Sequence, residues 1–277
     1  KKPNLKFIID ATKTIAKVIK PQSIIIFEST VYPGLTEEIC KPLIEKISKL
    51  KFNQEFFLTF SPERINPGDK DHPLTEIKKI TSGSTEDIAT KIDNLYKSII
   101  KAGTYKASSI IVAESAKVIE NTQRDVNIAL INEFSMIFNK LNIDTNEVLE
   151  AASTKWNFHK FQPGLVGGHC IGVDPYYLAY KALSVGYVPQ MILSGRSIND
   201  KMTKHVKDRV IKLMKSKNIE VTDANILVMG LTFKEDCKDL RNSKVFKLVE
   251  EFRKHTTNID IFDPLVGLDS KESTTNL

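Results

Sequence analysis

The chain has 277 residues, 41% hydrophobic and 27% charged, with a formal net charge of +6. This balance excludes a disordered or fibrous chain, and the length suffices for one large domain or two modest ones without disulfide or metal staples. No run approaches the ~18 apolar residues of a membrane span, and the start, Lys1-Lys2-Pro3-Asn4, lacks the apolar stretch of a signal peptide, so a cytoplasmic protein is expected.

The spacing predicts an amphipathic helix over 5–19, a buried strand over 23–27, a helix over 36–50, strands over 56–60 and 77–81, and a helix over 85–100 capped by Ser84 or Thr85. Such alternation belongs to a parallel α/β sheet. After Ser108 the style changes: Ile119, Val126, Leu130, Phe134, Ile137 and Leu141 recur at steps of 3, 4 or 7, which predicts a long connecting helix. A short helix over 144–152, a glycine-rich loop over 161–174 and more helix over 175–217 follow. Near Asp223 the α/β style resumes, with a strand over 225–230, a helix over 243–253 and a strand over 259–262; 268–277 reads as a polar, frayed tail. The expected fold class is therefore α/β in three parts: 1–108 and 218–277 as partial doubly wound domains, and 109–217 as a central helical region. The glycines contain no G-x-G pair, and the first lobe opens with a helix, so the chain is expected to begin midway through a doubly wound domain.

The cysteines, Cys40, Cys170 and Cys237, are odd in number and never spaced C-x-x-C, which supports neither a disulfide framework nor a metal site. The lysines are spread over helix-like segments, so no nucleic acid is expected; a basic balance suits an anionic small molecule such as a nucleotide. Gly167-Gly168-His169-Cys170, with Asp174 four residues on, has the setting of a nucleophile, because glycines let a ligand approach the backbone closely. The plainer alternative is a small buried cysteine in a tight loop, with His169 pointing away from it. Lys117, Asn121 and Arg124 stand at i, i+4 and i+7, either a solvated face or a pair of donors for an oxyanion. Ser29 and Thr30, and Glu63 and Arg64, follow predicted strands, where α/β proteins hold ligands, although Pro and Gly there also make turns. Lys234 and Arg241 are cations after a later strand, suited to phosphate or carboxylate groups.

Taken in order, these motifs make the chain resemble the UDP-glucose and UDP-N-acetylhexosamine 6-dehydrogenase family of nucleotide-sugar dehydrogenases, from Lys1 to about Val266. Gly-Gly-His-Cys-Ile-Gly-Val-Asp-Pro-Tyr-Tyr is similar to the N-acetylhexosamine enzymes of surface-polysaccharide synthesis. The run from Ser61 to Lys70 looks most like the UDP-N-acetylglucosamine enzymes, with the UDP-N-acetylmannosamine enzymes next. The resemblance implies a Rossmann-like NAD-binding part, a central dimerising part, a Rossmann-like UDP-binding part, and an NAD-dependent four-electron oxidation of the sugar 6-hydroxyl. It implies that Lys117 and Asn121 stabilise an oxyanion, with an ordered water near Thr30 and Asp174. Cys170 would form a thioester that Glu63 hydrolyses with Asp174.

By the same resemblance Ser29, Thr30 and Arg241 touch NAD. Glu63, Arg64, Ile65, Lys117, Asn121, Gly167, Ile171, Phe233 and Lys234 line the UDP-sugar, and the central helices make a homodimer. Arg64 departs from the aromatic residue of the glucose enzymes. Roughly a hundred preceding residues with the phosphate-binding glycines are also implied, so the chain alone is expected to bind NAD poorly or not at all. Two rivals are a non-catalytic fragment that binds UDP-sugar or only dimerises, and a thiol hydrolase using Cys170 with His169 or His159, for which no orienting group is evident.

Overall fold

The computed structural model describes residues 3–66, 68–69 and 71–266. The tail at 268–277, and Pro67 and Lys70, lie outside the described residues. The chain divides into two compact units, one of residues 1–121 and 174–189, the other of residues 122–173 and 190–277.

In the first unit, Ile24-Ile25-Ile26 and Phe56-Phe57-Leu58 are near-continuous apolar runs, the composition of strands covered on both faces. They form β1 (Ser23–Phe27) and β2 (Phe56–Phe60), paired in parallel with Phe27 opposite Phe60. Helix α1 (Lys6–Ala16) packs on α2 (Lys41–Ser48), and α2 continues from a π-helical segment, Thr36–Cys40. Leu35, Ile44, Phe56, Leu58, Phe60 and Ile110 are fully buried at the centre of this unit. A second parallel pair, β3 (Lys79–Thr81) and β4 (Thr104–Lys106), flanks α3 (Glu86–Lys97). Thr85 caps α3 by accepting the Ile88 amide, a contact worth about 1 kcal/mol. Ser84 is engaged elsewhere, accepting the Leu58 amide of β2. Strand β4 carries no sequence signal: it has three residues, and Tyr105 is exposed.

Helix α4 (Ile110–Leu141) contributes residues up to Asn121 to the first unit and the rest to the second. Its apolar positions Leu130, Ile137 and Leu141 remain substantially exposed. Asp144 caps α5 (Thr145–Ser153) through the Asn146 amide. The helix expected over 175–217 is two helices, α6 (Asp174–Ser184) and α7 (Gln190–Ser216). Gly186 takes a φ of +82° between them, and Pro189 has no amide hydrogen to continue a helical ladder. The second unit ends with β5 (Ile226–Met229), α8 (Lys244–Arg253) capped by Ser243, and β6 (Ile259–Phe262), the strands again parallel. Leu231, Val249, Phe252, Ile259 and Ile261 form its core. No helix among the described residues is long and apolar enough to cross a membrane.

Candidate active site

Because β1 and β2 run in the same direction, the loops at their carboxyl ends leave from one edge. The ladder continues past the strands: the Ser61 amide donates to the Phe27 carbonyl at 2.9 Å, and the Glu63 amide to the Glu28 carbonyl at 3.2 Å. Glu63 is thereby fixed. Its Oε1 accepts the Arg64 and Ile65 amides at 2.7 and 2.6 Å, and its Oε2 lies 4.0 Å from Lys79 Nζ. Lys79, 4% exposed, opens β3; its ammonium donates to Glu28 at 3.0 Å and lies 5.1 Å from the centre of the Tyr96 ring. The Tyr96 hydroxyl donates to the same Glu28 oxygen at 2.6 Å. One buried ammonium therefore serves the carboxylates that follow both strands. Burial pushes Glu28 upward, but the bonds from Tyr96 and Lys79 outweigh it and leave the carboxyl below its ordinary value. Burial and the neighbouring Glu28 push the Tyr96 phenol up.

On α4, Lys117 and Asn121 stand one turn apart, and Asn121 Nδ2 donates to Asp174 Oδ2 at 2.6 Å. Asp174 is 1% exposed. Burial pushes its carboxyl up to about 6, against the opposing pull of the Asn121 bond and the Lys117 charge. A carboxyl that titrates there exists in both forms near neutrality, as acid–base work requires. Glu114, a turn before Lys117, is wholly buried, and its two oxygens accept the Gly34 amide at 2.5 Å and the Thr36 amide at 3.0 Å. Burial pushes Glu114 up as well. This clamp fastens the far end of the loop that carries Ser29, exposed, and Thr30, half-buried. Arg64 is engaged, with Nη2 2.7 Å from Glu120 Oε1 and Nη1 donating to the Lys78 carbonyl at 2.6 Å.

In the second unit, Cys170 is half-buried and outside any disulfide, in a run of turns over 168–173. Gly168 has a φ of +79°, and a methyl group there would come within 2.7 Å of the Phe233 ring, so both backbone and space call for glycine. Asn242 grips it from both sides: its carbonyl accepts the Gly168 amide at 3.2 Å, and its Nδ2 donates to the Gly168 carbonyl at 2.7 Å. The His169 ring meets Phe233 edge-on at 5.8 Å. Asp263 anchors the segment leading to Phe233 and Lys234 by accepting the Leu231 amide at 2.7 Å, and such amide bonds hold its carboxyl below the usual range. Arg241 grips Asp239 through Nε at 2.9 Å and Nη2 at 2.5 Å, holding that carboxyl down to about 2.

Of the residues predicted to form a site, the first unit contains Ser29, Thr30, Glu63, Arg64, Ile65, Lys117, Asn121 and Asp174; the second contains Gly167, Cys170, Ile171, Phe233, Lys234 and Arg241. Asn121 meets Asp174, and the Gly167-Gly168 turn meets Phe233. Sequence reasoning passes over Lys79, Glu114, Asn242 and Asp263. A lysine at the start of a three-residue strand reads as a solvated edge, and an acid one turn before Lys117 reads as helix surface. Asn242 carried the one usable signal, an asparagine just ahead of a serine cap, where left-handed backbone is common. Among the described residues no group of three His, Cys, Asp or Glu could hold a metal ion.

Comparison with known proteins gives three matches to one family. Residues 1–100 match the UDP-glucose/GDP-mannose dehydrogenase family, NAD binding domain; residues 111–201 match its central domain, and residues 227–276 its UDP binding domain. A UDP-N-acetyl-D-glucosamine 6-dehydrogenase of Pseudomonas aeruginosa is 59% identical over 267 residues, 96% of this chain and 63% of the relative. Protein CapL of Staphylococcus aureus is 55% identical, over 95% of this chain and 62% of its own. The solved structure of the UDP-D-ManNAc dehydrogenase from Pyrococcus horikoshii superposes with a TM-score of 0.88 at 32% identity, covering 95% of this chain and 62% of that one. The chain thus spans less than two thirds of the length of these relatives.

Proposed function

The chain belongs to the UDP-glucose/GDP-mannose dehydrogenase family, and from that premise we propose that it oxidises the 6-hydroxyl of UDP-N-acetylglucosamine to the carboxylate, at the expense of two NAD, for surface-polysaccharide synthesis. The observation that carries the reading is the 59% identity to a UDP-N-acetyl-D-glucosamine 6-dehydrogenase over 96% of this chain. In this reading 1–108 serves NAD, 109–217 carries the thiol and the subunit contact, and 218–277 serves the UDP group.

For NAD, the donor set fits the uncharged ribose and amide groups: two hydroxyls, Ser29 and Thr30, follow β1 in a loop fastened by Glu114. Ser29, Thr30 and Arg241 would hold it, and NAD supplies the acceptor for each of two hydrides. Lys117 and Asn121 stabilise the negative charge that develops on the 6-oxygen. An amide nitrogen has two donors, and the bond to Asp174 uses one of them. The hydroxyl proton that leaves with each hydride would pass to a water held near Thr30 and Asp174. The Cys170 thiolate bonds to the carbon of the aldehyde-level intermediate, keeping it from escape, and remains bonded as the carbon reaches thioester level. Glu63 takes a proton from water as that water attacks the thioester; the carbon–sulfur bond breaks, releasing carboxylate and thiol. Glu63, Arg64, Ile65, Gly167, Ile171, Phe233 and Lys234 hold the UDP-sugar. A homodimer through α4 fits the exposed Leu130, Ile137 and Leu141, and the cytoplasm, where nucleotide sugars and NAD meet, is the compartment assigned.

The test is the NADH formed per sugar when purified protein meets NAD with UDP-N-acetylglucosamine, UDP-N-acetylmannosamine or UDP-glucose. Two NADH with the first and none in Cys170→Ala is the expected result, with light scattering on the same sample giving twice the chain mass. Two NADH with another sugar moves the substrate; no NADH together with no binding of any of the three sugars by calorimetry overturns the assignment, whereas binding without NADH matches the weak NAD binding expected of the 277-residue chain alone. Turnover by the 277-residue chain itself would also refute the expectation of weak NAD binding.

A further inference from the structure

Arg196, on α7, has a side chain only 2% exposed, an unfavourable place for an obligate cation unless several groups receive it. Its Nη1 donates to Asp125 Oδ1 on α4 at 2.6 Å, and its Nη2 to Asp200 Oδ1 at 2.7 Å. The same Asp200 oxygen accepts Lys244 Nζ at 2.9 Å, so two cations face two carboxylates. Asn199 Nδ2 donates to Asp125 Oδ1 at 2.7 Å, and Asn199 Oδ1 accepts Asn132 Nδ2 at 2.8 Å. Asn132 in turn grips the Gly164 backbone from both sides, accepting its amide at 2.8 Å and donating to its carbonyl at 3.0 Å.

These contacts converge on the turn that carries Cys170. Gly164 stands before it, held through Asn132. Gly172 stands after it, so close to the guanidinium that a methyl group would lie 3.8 and 3.9 Å from Nη1 and Nη2. Lys244 follows the Asn242 that grips Gly168. Buried ion networks contribute little net stability compared with apolar packing of similar volume, so global stability alone is a weak account of this one. What the network does supply is a hydrogen-bonded hold on Gly164 and a packing contact at Gly172, on either side of a single thiol.

We propose that Arg196 is a positioning residue for Cys170: its planar fork, locked between Asp125 and Asp200, fixes the 164–172 loop so that the thiol is held in one place. The catalytic consequence rests on reading Cys170 as the nucleophile. The positional claim is tested without turnover.

The experiment is native-state alkylation of the purified protein with iodoacetamide, resolved by site with mass spectrometry. Cys40, 0% exposed, and Cys237, 8% exposed, are internal gauges of unfolding. In Arg196→Lys, which keeps the charge and loses the fork, Cys170 alkylates several-fold faster while Cys40 and Cys237 stay protected. Lys244→Met, which removes only the outer cation, gives a smaller change in the same direction and carries the test if the Arg196 variant does not fold. Where turnover is measurable, kcat falls by up to ~100-fold with KM nearly unchanged. An unchanged Cys170 rate overturns the proposal, as does a parallel rise at all three cysteines, which would make Arg196 a support of the fold at large. Normal turnover in Cys170→Ala would instead refute the nucleophile reading and leave the alkylation result standing.

Discussion

In the first unit, the groups assigned to proton handling are themselves ionisable and are held by charge: Glu28 and Glu63 face the Lys79 ammonium, and Asp174 lies buried against Asn121 near Lys117. In the second, the thiol's loop is held by groups that do not titrate: Asn242 and Asn132 on glycine backbones, the Phe233 ring over Gly168, and the permanently charged Arg196. The first kind of hold is made directly by titratable groups; in the second the carboxylates of Asp125 and Asp200 stand one step behind, on Arg196. Under the proposed roles, protonation is controlled in one region and position in the other, and errors in the two should have different signatures.

Glu63 gives the sharpest way to break that contrast. Glutamine keeps the shape, and its Oε1 still accepts the Arg64 and Ile65 amides, but it takes no proton from water. In Glu63→Gln, steady-state NADH formation falls by ~10²–10⁴-fold. A rapid burst of two NADH per site remains, and intact mass shows the sugar acyl group on Cys170. Normal turnover in this variant would remove proton handling from the first unit.

Asp174 offers the next effect, and its sign is fixed by burial. Its carboxyl is raised from 3.8 to about 6, so the folded protein binds a proton that the unfolded chain has already lost between those values. Stability therefore falls as pH rises through that window and then levels. Asp174→Asn should be relatively stabilising above pH 6, with the advantage gone below pH 4, as measured by urea unfolding across pH. If chemistry needs the ionised form, kcat drops about tenfold per pH unit below 6. That acidic limb should vanish from the residual activity of Asp174→Asn. A limb that persists there belongs to another group.

Much of the frame was legible because it rests on local pattern. The five-residue stretches at 23–27 and 56–60, each apolar at four positions, can scarcely be anything but buried strands, and Thr85, Asp144 and Ser243 cap helices as their chemistry predicts. Gly186 and Pro189 carry the local signal for the break between α6 and α7, which the helix expected over 175–217 passes over. What stayed hidden depends on long-range pairing. Lys79 draws its meaning from Glu28, 51 residues away, and Asn242 from Gly168, 74 residues away. Asn121 sat on a predicted stripe, whereas the raised carboxyl of Asp174 follows from burial, which no spacing reveals.

The smallest predicted effect sharpens the comparison from the other side, because it separates position from chemistry within one loop. Gly168 and Gly164 precede Cys170 in the same segment. An alanine at Gly164 meets nothing within 4 Å, and its backbone bonds to Asn132 persist; an alanine at Gly168 must take a φ of +79° and press into the Phe233 ring. Gly164→Ala should therefore change stability by less than ~0.5 kcal/mol and leave turnover intact. Gly168→Ala should cost about 1–3 kcal/mol in urea unfolding, since left-handed backbone strain and overpacking add. It should also lower kcat without introducing any new pH dependence, because the groups that hold Gly168 itself, Asn242 and Phe233, do not titrate. Equal effects at the two glycines would show that the loop tolerates displacement, and the division between a region that sets charge and a region that sets position would then fail at the residue chosen to define it.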